Sequence, residues 1–283
     1  MNSPARLGAG AFTCLACLIL TTLTLQATPA HALPRHSPVP GGVAVIPLDS
    51  QGPTPPKARY GEAPLAVVQE NGRWYALLGI PLDTVPGRLA INVEQGKSSR
   101  SLALEVQPKD YPTQRLTIRN QRQVTPNPED ELRIDREKEV TDGLKRRFSD
   151  SAPATAFQLP AQGRLSSRFG LRRFFNGEPR NPHAGLDVAV GTGSPIRAPA
   201  AGTVINIGNY FFNGNTVFLD HGQGLVTAYM HLSRVEVKEG ERVEQGTLLG
   251  AAGATGRVTG PHLHWAVFLN GTAVEPEVFL ARP

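Results

Sequence analysis

Cysteine is almost absent from this 283-residue sequence, because the two cysteines, Cys14 and Cys17, both lie within the first 32 residues. Residues 33–283 therefore have neither disulfide bonds nor thiolate ligands for a metal. A strong charge bias is also missing, since the formal net charge is only +5. Such weak and dispersed basicity is compatible with an anionic surface but does not favour nucleic acid as a partner.

The first 32 residues have the three parts of a secretory signal peptide. Arg6 is the only charged residue among them, an apolar stretch runs from about Ala9 to Leu25, and Ala30–Ala32 has the A-x-A form of a cleavage site. The alternative is an uncleaved anchor, because the apolar stretch approaches the length that spans a bilayer. We expect cleavage before Leu33, no stable membrane insertion afterwards, and a periplasmic or extracellular location.

Short apolar runs separated by turn signals predict an all-β fold for most of the chain. Glycine (29) and proline (25) are both abundant, as in chains with many turns. Between about residues 43 and 118 the pattern is typical of a small, immunoglobulin-like β-sandwich. Its predicted strands are Ala66–Glu70, Arg73–Gly79, Arg88–Val93, Ser101–Val106 and Arg115–Arg119.

One helix is predicted between the two β regions, from about Pro128 to Phe148, with Asn127 as its N-cap. The predicted organisation is a signal peptide (1–32), an accessory β-sandwich (33–118), a helical connector (119–156) and a second, antiparallel β domain (157–283). The predicted strands of the second domain are Thr203–Ile207, Thr216–Leu219, Leu225–His231, Thr247–Leu249 and Leu263–Leu269.

Histidine is absent from residues 43–118, whereas five of the seven histidines lie in the last 101 residues. Those five are His183, His221, His231, His262 and His264. Neutral imidazole is the commonest metal ligand and the usual general base near neutral pH. The cluster therefore predicts a metal or catalytic site in the second β region, with His221, which lies in a turn, expected to be structural.

Two spacings among these histidines indicate a metal. On a strand, His262 and His264 face the same side, and such a pair is costly to bury unless something binds it. His183 and Asp187 lie in a glycine-rich segment, so a loop entering a strand would have to bring them together. Two histidines and an aspartate leave one open position on tetrahedral zinc. Spacing alone leaves open which of His231, His262 and His264 are ligands and which are catalytic.

Residues 163–279 carry five ordered motifs that resemble the lysostaphin-like, or LytM-type, zinc endopeptidases of bacterial cell walls. The motifs are Ser167–Gly170 (SRFG), His183–Asp187 (HAGLD), Ala198–Val204 (APAAGTV), Tyr229–Leu232 (YMHL) and Gly256–His264 (GRVTGPHLH). Residues 33–118 are similar, more weakly, to the accessory domain of some members. Two departures, Thr255 where serine is common and Trp265 where a smaller aromatic is common, affect no implied ligand.

The resemblance implies a zinc metalloendopeptidase that hydrolyses peptide cross-links of peptidoglycan, with the stem peptides as substrate and a metal-activated water as nucleophile. It implies His183, Asp187 and His264 as zinc ligands. His231 and His262 would be an unliganded pair, one accepting a proton from the water and the other stabilising the oxyanion. It also implies a compact antiparallel domain with the site in an open groove. Because ligand histidines must be neutral, we expect zinc and activity to be lost below about pH 6.

Two other functions fit parts of the sequence. Residues 198–204 and 237–250 also resemble the half-repeats of lipoyl or biotinyl carrier domains, but those carriers need a lysine at a hairpin tip and residues 205–236 contain none. The second alternative is a catalytically inactive regulator of other cell-wall hydrolases. Such relatives lose metal ligands, whereas this chain keeps all three. The oligomeric state and the bond cut stay open, but an active zinc enzyme is the function we expect.

Overall fold

The all-β prediction is confirmed by the computed structural model, which describes Met1 and residues 33–280. Regular structure in that part of the chain consists of twenty strands, one α-helix and two short 3-10 turns. The predicted signal peptide and its cleavage site lie outside the described residues, apart from Met1. Among the described residues, no helix combines the length and the apolar character needed to cross a membrane.

Residues 43–106 form two small antiparallel sheets that share one apolar core. The sheets have the strand orders β1-β5-β4 and β3-β2-β6-β7. Both contribute to a single cluster that includes Leu48, Leu78 and Ile91, so they pack face to face as a sandwich. The strands are β1 (Val43–Gln51), β2 (Lys57–Tyr60), β3 (Ala63–Pro64), β4 (Ala66–Glu70), β5 (Arg73–Gly79), β6 (Gly87–Gln95) and β7 (Ser98–Val106).

The β4–β5 hairpin has the bounds predicted from the sequence. Asn71 and Gly72 form its two-residue turn, and both have positive φ (50° and 76°). Turns of this kind match the twist of the flanking strands and favour Asn-Gly for that reason. The local turn chemistry thus explains why this hairpin could be predicted to the residue.

One strand and the end of the helix differ from their predicted bounds. The strand expected at Arg115–Arg119 in the sandwich is β8 (Thr113–Leu116), and it pairs in parallel with β10 (Arg172–Phe175) of the second β region. The helix α1 (Pro128–Lys145) starts where predicted, with the Asn127 side chain accepting a hydrogen bond from the Asp130 backbone. It ends three residues before the predicted Phe148.

The second β region is built on one ten-stranded sheet. Its main order is β17-β14-β15-β16-β19-β12-β9, with β13, β18 and β20 pairing off this path and β11 pairing with β10 in a separate sheet. The remaining strands are β9 (Arg164–Ser167), β11 (Glu178–Arg180), β12 (Leu186–Ala189), β13 (Pro195–Arg197), β14 (Gly202–Tyr210), β15 (Gly214–Asp220), β16 (Leu225–Val235), β17 (Arg242–Val243), β18 (Leu248–Ala252), β19 (Leu263–Leu269) and β20 (Thr272–Val274).

The two faces of strand β19 pack in different apolar clusters. Leu263 and Trp265 are fully buried in the main core, whereas Ala266 and Phe268 pack in a smaller cluster on the opposite face. This alternation agrees with the side-chain pattern predicted for the strand. His264 lies on the same face as the smaller cluster.

The two β regions are packed together through shared apolar residues. Val43 and Leu77 of the sandwich belong to the same buried cluster as Leu225 and Leu269 of the large sheet. Backbone to side-chain contacts reinforce the junction, since the Asn270 side chain accepts a hydrogen bond from the Gly79 backbone N–H at 2.7 Å. The sandwich is therefore firmly attached to the domain that carries the histidines.

Candidate metal centre

His183 reaches the site from a loop, whereas Asp187 reaches it from the adjoining strand β12. Two backbone hydrogen bonds hold the loop: Gly170 N–H donates to the His183 carbonyl, and His183 N–H donates to the Leu171 carbonyl. The His183 Nδ1–H donates to the Arg168 carbonyl at 2.7 Å. Because a carbonyl can only accept, the proton is placed on Nδ1, and Nε2 faces the site with a lone pair.

The register of β12 against β19 brings His264 to the same point. Asp187 is directly opposite His264 in this antiparallel pair, although the two are 77 residues apart in sequence. Asp187 Oδ1 is 2.9 Å from His183 Nε2 and 2.7 Å from His264 Nδ1, and the two ring nitrogens are 3.0 Å apart. Within the described residues, these three side chains form the one group with the spacing of a metal site.

Gly185 provides the space that the His264 ring occupies. A Cβ atom at this position would lie 2.6 Å from the Trp265 carbonyl oxygen and 2.7 Å from His264 Nε2. Contacts this short are sterically forbidden, so only glycine allows the loop to approach β19 so closely. The close approach directs His264 Nδ1, rather than Nε2, toward Asp187.

His231 lies at a distortion within β16, whereas the sequence predicts it at the end of the strand. The strand continues to Val235, and His231 has a left-handed backbone conformation with φ of 64°. This conformation is unusual for a non-glycine residue and is typical of functional sites. Its Nδ1–H donates to the Thr255 carbonyl at 2.8 Å, which leaves Nε2 as an acceptor.

His262 lies beside His231 and near Asp187. The two ring centroids are 4.8 Å apart, and His262 Nε2 is 3.8 Å from Asp187 Oδ1. The His262 Nδ1–H donates to the Gly260 carbonyl at 2.9 Å. All five side chains predicted from the sequence therefore converge, in two sets: His183, Asp187 and His264 in mutual contact, and His231 with His262 next to them.

Burial keeps much of this cluster in the uncharged form. Desolvation lowers the pKa of His231 to about 3 and the pKa of His264 to about 4, with neighbouring histidines adding to the shift. Burial by itself would raise the pKa of Asp187, but its interactions with His183 and His264 outweigh burial and hold that pKa well below its usual range. We therefore expect neutral imidazoles at His231 and His264 at pH 6, and an acid limit for metal binding below that value.

Two arginines near the site were not identified from the sequence as functional residues. Arg173 donates from Nη2 to Asp187 Oδ2 at 3.0 Å and from Nε to Gln114 Oε1 at 3.2 Å. Arg257 lies within the last of the five motifs and stacks on two phenylalanine rings. Arg173 follows another arginine, and Arg257 lies in a glycine-containing loop. In neither case does the local sequence distinguish a functional arginine from an ordinary surface arginine.

Two cavities meet at the cluster. One, of about 410 Å³, lies between α1 and the histidines, and the other, of about 270 Å³, extends past Asp187 and His262 toward the end of β8. The residues that line both are Arg173, Phe175, His231, Arg257 and His264. Helix α1 thus lines one cavity, and Leu116, at the end of β8, and Ile118 line the other.

His221 is separate from the cluster and is structural, as expected. It is 3% exposed, its Nδ1–H donates to the Ala201 carbonyl at 2.7 Å, and its Nε2 is 2.8 Å from Thr227 Oγ1. Thr227 Oγ1 in turn is 2.7 Å from the Tyr229 hydroxyl. The chain of hydrogen bonds satisfies these buried polar groups.

His221 should make the stability of the protein depend on pH. Burial lowers its pKa from 6.5 to about 4, so below pH 6.5 the unfolded chain binds a proton that the folded protein does not. The contribution is complete above pH 6.5 and is lost as the pH falls toward 4, by on the order of 3 kcal/mol. Urea unfolding of the metal-free protein at pH 7.5 and 4.5 measures it. The loss should be smaller in His221→Gln, and an equal loss in both proteins would contradict the assignment.

Comparison with known proteins finds two family matches, one in each β region. Residues 181–276 match the model for peptidase family M23, and residues 36–109 match the model for the peptidase family M23 N-terminal domain. The crystal structure of a Pseudomonas aeruginosa protein assigned to peptidase M23 is 45% identical and has a TM-score of 0.74. The match covers 86% of this chain and 95% of that one.

Two curated relatives each match less than half of this chain. Peptidoglycan DD-endopeptidase ShyA of Vibrio cholerae is 37% identical over 134 residues, which is 47% of this chain and 30% of ShyA. A Haemophilus influenzae protein named "Uncharacterized metalloprotease" is 42% identical over 122 residues, which is 42% of this chain and 26% of that protein. The match thus spans less than a third of the length of either relative.

Proposed function

Because this chain belongs to peptidase family M23, we propose that it is a zinc metalloendopeptidase that hydrolyses the peptide cross-links of bacterial peptidoglycan. The single observation that carries the proposal is the convergence of His183 Nε2, Asp187 Oδ1 and His264 Nδ1 on one point. The name of the relative ShyA supports peptidoglycan stem peptides as the substrate. The features of a signal peptide in residues 1–32 support export to the periplasm or the cell exterior.

The donor set fits zinc. Ligand atoms on tetrahedral zinc lie about 3.3 Å apart, given bonds of about 2.0–2.1 Å. The three atoms here are 2.7–3.0 Å apart, so they would need to separate by only about half an ångström. Nitrogen and carboxylate ligands suit zinc, and three protein ligands leave one position open, as in catalytic sites. An inactive regulator is disfavoured, because no member of this set is missing.

The two histidines that are not ligands, His231 and His262, would transfer the proton of the attacking water. When bound, zinc supplies Lewis-acid polarisation of water and of the scissile carbonyl. His231 and His262 both donate from Nδ1 to a backbone carbonyl, so each keeps Nε2 as a proton acceptor. One can accept the proton from water, and the other, once protonated, can stabilise the developing oxyanion. Within the described residues, the acids that line the two cavities are Glu137, Asp142 and Asp187. Glu137 is bound by an arginine and a backbone N–H, Asp142 is bound by two lysines, and Asp187 is a proposed ligand. A histidine is therefore left as the base.

Digestion of purified sacculi tests the proposal. The zinc-loaded protein should convert cross-linked muropeptides to uncrosslinked ones, with products identified by chromatography and mass spectrometry. His183→Ala, prepared in the same way, serves as the control for contaminating hydrolases. Cross-linked muropeptides that stay intact in the presence of stoichiometric zinc would refute the function.

Arg173 should strengthen zinc binding by holding Asp187 in place. Its guanidinium occupies Asp187 Oδ2, so that Oδ1 alone faces the two histidines. Loss of a hydrogen bond to a ligand typically costs about 10–100-fold in metal affinity. We expect that loss for Arg173→Met, which keeps an apolar stem, in a competition titration with a chromophoric chelator. Arg172→Met is the matched control, since the exposed Arg172 contacts the Tyr111 carbonyl instead. Equal zinc affinity in both variants would show that Arg173 has no such role.

A further inference from the structure

Arg257 is held in a fixed orientation beside the histidines. Its guanidinium carbon lies 4.0 Å from the ring centroid of Phe212 and 4.8 Å from that of Phe175. Stacking on aromatic faces is typical of guanidinium groups and restricts the plane of the group. One N–H donates to the Gln123 carbonyl at 3.3 Å, a long contact. Most of the five donors of this guanidinium are therefore available.

Arg257 lacks the ion pair that its neighbours have. Arg173 pairs with Asp187, and Arg180 pairs with Glu178. In residues 33–280, no carboxylate oxygen lies within ion-pair distance of Arg257, although the side chain is half-buried. Removing a charge from water is costly, so buried charges are normally paired. The absence of a pair leaves this charge available for a ligand.

The cavity on the Asp187 side has an excess of positive charge. It is lined by Arg173 and Arg257, and Asp187 is the one carboxylate among the described residues that line it. Asp187 already pairs with Arg173, so within this lining no carboxylate is left for Arg257. Burial, together with Arg173 and Arg180, lowers the pKa of Arg257 to about 10, and the group stays charged at neutral pH.

We propose that Arg257 binds a free carboxylate of the substrate peptide next to the bond that is cut. A guanidinium matches a carboxylate in shape and can donate two parallel hydrogen bonds to it. Arg257 lines both cavities together with His231 and His264, so a peptide held at the metal site passes directly beside it. The carboxylate comes either from the C-terminus of the peptide or from an acidic side chain. This inference rests on the proposed function and specifies the substrate class as anionic peptides.

The experiment compares cross-linked muropeptide dimers with and without free carboxylates. One dimer is used untreated, and a second has all its carboxylates converted to carboxamides. Two synthetic dimers are amidated only at the C-terminus or only on the side chains, which identifies the source of the carboxylate. For the wild type, kcat/KM should be about 10–100-fold higher with the untreated dimer than with the fully amidated one, as expected for a charged hydrogen bond. Arg257→Gln should lose most of that preference, mainly through KM, and should bind as much zinc as the wild type.

Arg180→Gln is the matched control, because Arg180 belongs to the same group of arginines but lines neither cavity. It should keep the preference for free carboxylates. A purely structural role of Arg257 would lower kcat/KM equally for all four dimers, and that result overturns the inference. A wild type that cleaves all four dimers equally well also overturns it, while the proposed function stands. A zinc-loaded wild type that cleaves none of them overturns both.

Discussion

Replacing His264 with alanine should abolish both zinc binding and peptidoglycan cleavage, whereas replacing His231 should strongly reduce cleavage and leave zinc bound. His264 contributes Nδ1 directly to the group of three ligand atoms, at 2.7 Å from Asp187 Oδ1. His231 is next to this group, with its ring 6.1 Å from that of His264. A residue that only transfers protons contributes about 10²–10⁴-fold to the rate, so His231→Ala should lose activity by about that factor.

Metal content and activity must be measured on the same preparations. Mass spectrometry after mild purification gives zinc per chain, and release of uncrosslinked muropeptides from sacculi gives activity. His262→Ala should behave like His231→Ala, and His183→Ala should behave like His264→Ala. Zinc retained in His264→Ala but lost in His231→Ala would reverse the proposed division between ligands and proton-transfer groups.

Gly185→Ala should nearly eliminate zinc binding although the residue is not a ligand. Its Cβ would collide with the Trp265 carbonyl and with two atoms of the His264 ring, at 2.6–2.8 Å. The carbonyl belongs to the central strand β19 and cannot move without breaking the pairing with β12. The His264 ring must therefore move, and we expect a loss of zinc affinity of at least about a hundredfold, at the upper end of effects seen for residues that orient ligands.

The matched control for this substitution is Gly191→Ala. A Cβ atom at Gly191 would have no other atom within 4 Å, and the residue has no positive φ, so alanine should be accommodated there. Zinc titration and thermal unfolding of both variants separate a local effect on His264 from a general loss of folding. Full zinc affinity in Gly185→Ala would mean that the loop moves away freely and that the site is not rigidly built.

Elements governed by neighbouring residues could be predicted well from the sequence. The strand Leu263–Leu269 and the start of the helix at Pro128 have their predicted bounds. The first follows from alternating side chains, and the second from a cap at Asn127. The end of the helix was predicted three residues too late, at Phe148. No glycine or proline follows Lys145 closely, so the sequence contains no local signal for that end.

Features that depend on distant partners were predicted incompletely. The strand near Arg115 was recognised, but its pairing with β10 was not, because periodicity shows that a strand exists and not what it pairs with. His231 was recognised as part of the cluster, but its left-handed backbone in the middle of a longer strand was not. Arg173 was missed, since nothing near it in the sequence indicates that its guanidinium contacts Asp187.

The sequence by itself determined the all-β class, the strand that carries His264 and the five residues of the candidate site. These depend on composition, on alternation along a strand and on short motifs, all of which act between near neighbours in the chain. Only the tertiary structure decided which atoms meet. His264 Nδ1 lies against Asp187, Arg173 contacts the second carboxylate oxygen, and Arg257 has no carboxylate partner within residues 33–280. Those contacts depend on strand register and on the space left by Gly185, which join residues far apart in the sequence.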